Sequence, residues 1–296
     1  MLGESGSRES TLSVGSHRVF RFFWWATNAL LGLALLGTLC TGIWEHSVRQ
    51  YLKGFSDAII PEDSSQQQKA ESILSWMTYG PPRREAPDPS MLSAHDPTDT
   101  LNYRQLLEVC GSATNAFLNL SRSSGLEARR LLLLSPDRTA KHVVAEIRLG
   151  DRWIIVDATY RAIMKDAHGR ALTRADLQDP RLFQEAAAQI PGYITTYSYE
   201  RVAHVRVGAL PVLGPMLRRV LESVLPGWDE ALDWSLLLER RSFAFFFLSV
   251  WALIFFLLLR IVLAWLADHR LRIPRLRLRT SLIRATSTFF STPEIK

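Results

Sequence analysis

Cys110 is the residue whose position first suggests chemistry. It opens the stretch CGSATNAFLNLSRSSG, in which apolar and small residues at positions 113, 116, 117 and 120 recur at helical spacing and Gly125 is placed to end a helix. At a helix N-terminus, unpaired backbone N–H groups and the helix dipole lower a thiol's pKa and favour the nucleophilic thiolate. Spacing alone is equally consistent with a small cysteine buried under a sheet.

A β-hairpin that follows Cys110 supplies a histidine and an aspartate. After a short strand-like run, EARRLLLLS, the β-rich segments KHVVAEIRL and RWIIVDATY are joined by a Gly-Asp dipeptide, which is a strong two-residue turn signal. If Leu149 pairs with Arg152, His142 and Asp157 lie on one face of the hairpin as diagonal neighbours, about 7–8 Å apart at the backbone and within side-chain reach. A bulged turn would break this register.

Cys110, His142 and Asp157 together are the parts that a nucleophilic cysteine enzyme needs. The imidazole takes the thiol proton and later protonates the leaving amine, while the carboxylate fixes the imidazole tautomer and stabilises the imidazolium. The other histidines of this region lack such partners and are predicted to be surface or loop residues: His95, His168 and His204.

These stretches resemble the transglutaminase-like superfamily, which has a papain-related fold. The segment CGSATNAFLNLSRSSGLEARR is similar to the family's cysteine helix and its R-x-x-G-[IV]-P-A-R ending, and HVVAEIRLGDRWIIVDAT is similar to its H-x-W-x-E-V…G-x-W-x-x-x-D-P-T pattern. The resemblance covers 110–160 well and 74–199 loosely. It implies Cys110 as nucleophile, His142 as general base and acid, and Asp157 as the orienting acid. The expected fold is α+β, with the cysteine helix packed on an antiparallel sheet.

Four residues depart from the family pattern. Glu108 replaces a glycine two residues before the cysteine, Val144 replaces the tryptophan after the histidine, and Glu127 and Ala158 replace prolines. The changes affect the expected acyl-binding groove and access to the thiolate. Two interpretations therefore stay open: a hydrolase or acyltransferase that acts on amide bonds through a thioester, and a catalytically degenerate domain that serves as an envelope binding or scaffold protein.

Further residues near the motif are assigned supporting roles. The Cys110 backbone N–H is the expected first donor of an oxyanion hole, and Gln105 and Trp76 are candidates for the second. Three positions that match the family are predicted to be a core tryptophan and satisfied polar residues: Trp153, Arg129 and Glu146. No cofactor is expected, and no metal site, because Cys110, His142 and Asp157 lack ligand-like local spacing.

The segments around the motif give a coarser prediction. A helix capped by Ser64 or Ser65 runs to Tyr79 and is followed by a Pro-rich loop. After 160, a capped helix is predicted to start near Thr173, with Asp176 completing its capping box. The segment 192–207 is β-like, and its tyrosines could wall a cleft or cover a sheet: Tyr193, Tyr197 and Tyr199. The amphipathic segment 210–241 is predicted to lie on a membrane surface.

Two apolar runs predict membrane-spanning helices. Residues 22–44 contain no charge, and 242–267 carry Arg260 alone, near enough to one end for its side chain to reach the lipid headgroups. The first run is too long for a typical signal peptide, and Leu39 makes Cys40 a poor lipidation site. Because Cys40, the other cysteine of the chain, lies inside the first predicted span, Cys110 is expected to have no disulfide partner. The predicted divisions are 1–21 tail, 22–44 span, 45–241 domain with its core at 70–200, 242–267 span and 268–296 tail.

Charge predicts the orientation in the membrane. The net charge of +6 comes from the flanks of the spans, and acidic and basic residues are nearly balanced over 45–241. Since excess Lys and Arg stay on the cytoplasmic side, both termini are expected inside and the domain outside the inner (plasma) membrane. The expected partners are membrane lipids, an amide substrate of peptide, protein or peptidoglycan type, and envelope proteins. No basic stripe with interleaved aromatics indicates a nucleic-acid partner.

Overall fold

The computed structural model describes residues 14–204, 214–225 and 235–271. Its internal contacts divide the chain into two units. One unit comprises Thr41–Phe247, and the other comprises the chain up to Cys40 together with the chain from Leu248. The first unit carries the cysteine helix and the hairpin, and the second carries most of the apolar runs.

Two long helices contain the predicted spans. Helix α1 covers Val14–Ile59 and helix α9 covers Arg241–Leu266. Both are long and apolar enough to cross a membrane, and their most apolar stretches are almost entirely exposed. Such helices fit the predicted flanking membrane helices, and α1 continues as a helix to Ile59, beyond the predicted end of the first span.

The polar side chain within the second apolar run has partners on the first. In the unit formed by the two apolar segments, the Nε of Arg260 donates a hydrogen bond of 2.7 Å to Oδ1 of Asn28. The guanidinium also lies 3.1 Å from the centroid of the Trp24 ring. The sequence predicts only that the Arg260 side chain reaches the lipid headgroups, and its contacts with Asn28 and Trp24 are not part of that prediction.

The sheet has five antiparallel strands in the order β4-β3-β2-β1-β5. The strands are β1 Ala128–Leu134, β2 Ala140–Leu149, β3 Arg152–Asp157, β4 Ala162–Ile163 and β5 Val202–Ala203. The predicted hairpin register is confirmed, since Leu149 pairs with Arg152. Gly150, with φ +62°, supplies the left-handed conformation that this tight turn needs.

Five helices of the same unit precede or cover the sheet. They are α2 Gln66–Tyr79, α3 Pro97–Asn102, α4 Arg104–Leu107, α5 Cys110–Ser123 and α6 Pro180–Ala188. Ser65 caps α2 in a reciprocal capping box with Gln68, so the predicted start and end of this helix are confirmed. A short 3₁₀ turn, Pro89–Met91, lies in the Pro-rich loop.

The sheet is buried on both faces. Small and apolar side chains of α5, including Ala113, Ala116 and Phe117, pack in one core with Ala145 of β2 and Val156 of β3. On the other face, apolar residues of β1, β2 and β3 pack against α6 in a second core: Leu131, Leu133, Val144, Ile155 and Phe183. Small residues on α5 allow its backbone to approach the sheet closely, which brings its first turn to the strands that carry His142 and Asp157.

The prediction of a helix from Thr173 is wrong in its starting point. Thr173 and Asp176 do exchange the predicted capping bonds, at 2.8 and 3.2 Å, but they close a 3₁₀ turn, Asp176–Gln178. Helix α6 begins afterwards at Pro180, capped by Asp179. Proline lacks the N–H that a continuing helix requires and forces the preceding residue into an extended conformation, so two short elements replace one.

Two other segments differ from the sequence prediction or extend beyond the described residues. The β-like segment around 192–207 forms only the two-residue strand β5 and is otherwise irregular up to His204. Its tyrosines pack into the core between the sheet and α6. Residues 205–213 and 226–234 lie outside the described residues. Within the predicted amphipathic segment 210–241, the described parts are helical: α7 Gly214–Val224 and α8 Ser235–Glu239.

Candidate active site

Cys110 occupies the first position of helix α5. Val109, the preceding residue, has an extended backbone and provides no side-chain cap, so no capping side chain takes the N–H groups of the first turn. Ser112 instead bonds back to the carbonyls of Leu106 and Val109, which ties the first turn to the loop before it. The thiol is partly exposed. Position and exposure are those of a thiol that the helix N-terminus can activate.

His142 and Asp157 form a buried pair at the ends of β2 and β3. The imidazole Nε2 lies 2.7 Å from Oδ2 of Asp157, and the two side chains are 3% and 0% exposed. The other carboxylate oxygen, Oδ1, accepts hydrogen bonds of 3.0 and 3.3 Å from the backbone N–H groups of Thr159 and Tyr160. The turn that follows β3 therefore fixes the carboxylate, and the carboxylate fixes the imidazole.

The thiol of Cys110 is hydrogen-bonded to the imidazole of His142, and this contact is the main cause that lowers the pKa of Cys110. Burial opposes the effect, while the charge of His142 and the backbone N–H groups of Val143 and Gly111 add to it. Because Asp157 occupies Nε2, Nδ1 is the ring nitrogen left to face the sulfur. The three residues singled out in the sequence are thus brought together.

The imidazole has a raised pKa. Burial alone lowers the pKa of His142, but hydrogen bonds to Asp157 and Cys110, together with their charges, outweigh it and raise the pKa to about 9. A lowered thiol pKa beside a raised imidazole pKa favours transfer of the thiol proton to the ring. Both shifts therefore favour the thiolate–imidazolium form of the pair.

Aromatic side chains enclose the imidazole. The ring of Tyr197 stacks on His142 with centroids 4.3 Å apart and planes inclined by 1°. Tyr160 approaches the imidazole edge-on at 6.1 Å. Tyr193 donates toward Asp157 and lies 3.1 Å from the hydroxyl of Tyr199. Burial, together with the hydroxyl of Tyr160 and the charges of Asp157 and Cys110, raises the pKa of Tyr197 to about 12, so the phenol stacked on His142 stays neutral at neutral pH.

The role of Tyr197 was missed from the sequence. Its spacing with Tyr199 had suggested either a cleft wall or a sheet cover, without a link to His142. Val144, which replaces the family's tryptophan, is fully buried in the core beneath α6. The aromatic contact to the imidazole comes instead from an irregular loop 55 residues further along the chain.

The two candidates for a second oxyanion donor are occupied elsewhere. The amide of Gln105 exchanges two long hydrogen bonds of 3.4 Å with the backbone of Ala86, which holds the Pro-rich loop. Trp76 packs edge-on against Phe55 at 4.8 Å and carries the guanidinium of Arg83 over its ring at 4.4 Å. The Gln105 amide is therefore engaged elsewhere, whereas the contacts of Trp76 involve its ring, and the Cys110 N–H remains the expected first donor.

The residues expected to be structural are placed as follows. Arg129 and Glu146 are cross-strand neighbours joined by a 2.6 Å ion pair, as expected of satisfied polar partners. Trp153 was predicted to lie in the core, which is wrong: it is only half-buried and lies under the guanidinium of Arg129, at 4.1 Å, because it sits near the exposed hairpin turn.

The remaining histidines divide differently from the prediction. His95 and His168 are exposed in loops, as predicted. His204 is not a surface residue: it is 4% exposed, and its Nδ1 lies 2.6 Å from the backbone oxygen of Arg130. It directly follows β5, which pairs with β1, and this pairing buries it. Over 14–204, 214–225 and 235–271, no cluster of three or more His, Cys, Asp or Glu side chains could hold a metal ion.

Two open clefts lie beside the elements that carry the site. One, of about 490 Å³, is bordered by Leu107, Glu108 and Arg161, and the other, of about 580 Å³, by Tyr160 and Arg161. Arg161 has a left-handed backbone, with φ +55°, and donates a 2.8 Å hydrogen bond to the carbonyl of Leu107. The turn after Asp157 is thereby joined to the segment that precedes Cys110.

A comparison with known families finds one match. The family model described as the transglutaminase-like superfamily matches residues 53–158, a stretch that includes Cys110, His142 and Asp157. No curated protein and no solved structure matches the chain.

Proposed function

Because residues 53–158 form a transglutaminase-like superfamily domain, we propose that the protein is a thiol enzyme that cleaves or transfers acyl groups at amide bonds. The observation that carries the proposal is the contact of one imidazole with both partners. His142 lies 2.7 Å from Asp157 on one side and is hydrogen-bonded to the thiol of Cys110 on the other. This is the order of groups that nucleophilic catalysis by a thiol requires.

The first half-reaction forms a thioester. The Cys110 thiolate attacks the amide carbonyl, forming the C–S bond, while the carbonyl π electrons move to oxygen and the Cys110 N–H stabilises the oxyanion. When the oxyanion collapses, the C–N bond breaks and the imidazolium of His142 gives its proton to the leaving nitrogen. The products are an acyl-enzyme and a free amine.

The second half-reaction returns the enzyme to its starting state. Neutral His142 takes a proton from water in a hydrolase, or from an amine in a transferase, as that nucleophile attacks the thioester carbonyl. The C–S bond breaks and the thiolate leaves beside the imidazolium. Asp157 remains ionised throughout and stabilises the charged ring. Peptide, protein side-chain and peptidoglycan-type amides all fit this chemistry.

Labelling of Cys110 tests the assignment. The chain has two cysteines, so Cys40→Ser makes Cys110 the sole thiol. A thiol-directed acylating probe should then label C40S rapidly at neutral pH and should not label C40S/C110A. His142→Ala should slow labelling strongly, whereas His95→Ala, which changes an exposed loop histidine, should leave it unchanged. Equal labelling of the His142→Ala and His95→Ala variants would refute the thiol–imidazole pair.

We also propose that the domain is held outside the inner membrane by two spans, with both termini in the cytoplasm. The two long apolar helices and the basic residues outside them support this topology. In a C40S/C110A background, a membrane-impermeant thiol reagent applied to intact cells should label Ser90→Cys. It should label Ser7→Cys and Ser291→Cys only after permeabilisation. Labelling of a tail cysteine in intact cells would contradict the topology.

A second function, that of an envelope binding or scaffold domain without catalysis, is favoured by one observation. His142 is only 3% exposed beneath Tyr197, so little of the imidazole surface is open to a substrate. Under this function the alkylation of Cys110 titrates near the ordinary thiol pKa of about 8.5, and C110A retains the biological activity of the wild-type chain.

A further inference from the structure

Arg130 directs a positive charge at the first turn of the cysteine helix. It follows Arg129 on β1, and side chains alternate along a strand, so Arg129 lies on Glu146 and Trp153 while Arg130 lies against α5. Its Nη1 is 3.4 Å from Oδ1 of Asn115 on α5. A Cβ atom built on Gly111 would lie 3.4 Å from Nη2 of Arg130. The guanidinium therefore borders Gly111, the residue next to Cys110, where no side chain lies between the guanidinium and the helix backbone.

The positive charge and the N–H donors of this guanidinium are only partly matched by acceptors and negative charges around it. Its Nε is buried and has no hydrogen-bond partner among the residues that the structure describes. Asn115 is neutral, and its own amide already donates a 2.9 Å hydrogen bond to the carbonyl of Ala94. The charge of Arg130 interacts with Glu239, but Glu239 also pairs with Arg122. A half-buried cation with a buried, unpartnered Nε is stabilised by a further anion nearby.

When ionised, the thiol of Cys110 supplies a negative charge next to Gly111, the residue that the guanidinium borders. Burial lowers the pKa of Arg130, and the charges of Glu239 and Cys110 act in the opposite direction. The charged and titratable groups that interact with Cys110 are His142 from β2, Arg130 from β1 and the phenol of Tyr197 from the irregular loop, with Asp157 hydrogen-bonded to His142. His142 is the main cause of the lowered pKa of Cys110. Arg130, whose guanidinium borders Gly111, brings a second positive charge to the same turn, and positive charge near a thiol favours the thiolate.

We propose that Arg130 is a positioning residue that, together with His142, holds the sulfur of Cys110 in its anionic form. The inference rests on the proposed thiol chemistry and adds a second cation to it. In the sequence, Arg130 lies one residue beyond the arginine that matches the family pattern, Arg129. Nothing in its spacing links it to the cysteine, which becomes its neighbour only when α5 packs on the sheet.

The pH dependence of iodoacetamide alkylation tests this role in the full-length C40S chain. Arg130→Met removes the charge and should raise the midpoint by on the order of one pH unit, the usual effect of a nearby charge. Arg130→Lys keeps the charge and should restore most of the shift. Arg129→Met is the matched control: it removes a neighbouring arginine on the opposite face and should leave the midpoint unchanged. A merely structural role would not be rescued selectively by lysine.

The outcomes separate this inference from the proposed function. If the parent chain titrates well below 8.5 and R130M titrates at the same pH, Arg130 has no role and the inference is overturned while the thiol enzyme stands. If the parent itself titrates near 8.5, the proposed function fails. Arg130→Gln, which keeps a polar group for Asn115, replaces R130M if thermal unfolding shows that the methionine variant does not fold.

Discussion

Tyr197 lies flat against His142, with ring centroids 4.3 Å apart and the two planes almost parallel. The stack covers one face of an imidazole whose nitrogens are engaged by Asp157 and Cys110. The ring is thus held in the plane in which one nitrogen meets the carboxylate and the other meets the sulfur. This positioning affects the reaction rate directly, because misplacement of a catalytic group by about 1 Å can cost on the order of 100-fold.

Removal of the stacked ring should therefore slow acylation. Tyr197→Ala is expected to lower the rate of thioester formation by up to roughly tenfold, since aromatic pairs contribute about 0.5–1.5 kcal/mol. Tyr197→Phe keeps the stack and should stay close to the wild-type rate. Single-turnover labelling of the C40S chain measures both. Tyr79→Ala, which removes an exposed tyrosine, is the control. Equal rates for Y197A and Y79A would show that the stack does not hold the base.

Asp157 should control the alkaline side of the pH profile. The proposed reaction needs the thiolate, which forms above the lowered pKa of Cys110, and the imidazolium, which is lost as pH rises through about 9. A bell-shaped kcat/KM is expected, falling near pH 9. Asp157→Asn removes a negative charge that stabilises the imidazolium, so the pKa of His142 should fall and the alkaline limb should move to lower pH. The rate should drop by roughly 10²–10⁴-fold. An alkaline limb that does not move would contradict the role of Asp157.

The ion pair between Arg122 and Glu239 should matter for stability. Glu239 is fully buried and Arg122 is largely buried, so removal of the carboxylate leaves a cation short of its partner. Glu239→Ala is expected to cost about 3–5 kcal/mol. Glu127→Ala breaks the exposed pair with Arg148 and should cost at most about 1 kcal/mol. Thermal unfolding in detergent compares the two variants, and similar losses would show that the buried pair is not stabilising.

The hairpin and its residues could be predicted because their geometry is local. A two-residue turn at Gly150 fixes the register, and the register decides which side chains share a face. His142 and Asp157 therefore followed from the sequence of one hairpin. The cysteine helix could also be predicted from local sequence, because Cys110 begins a segment with clear helical periodicity that ends at a glycine.

Other contacts could not be predicted because they depend on distant segments. Tyr197 reaches His142 from an irregular loop that has no periodicity, and Arg130 meets Gly111 only when α5 packs on β1. The helix predicted from Thr173 was wrong for a local reason. Its capping signal is correct but closes only a short turn, because Pro180 interrupts the helix. Long-range packing decided each of the first two cases, and a single proline decided the third.

The pH dependence of Cys110 alkylation in the C40S chain, with and without His142→Ala, tests the central claim most directly. The account predicts a midpoint well below the ordinary thiol value of about 8.5 in the parent and a midpoint that rises when the imidazole is removed. A midpoint at or above 8.5 that is the same in both chains would contradict it.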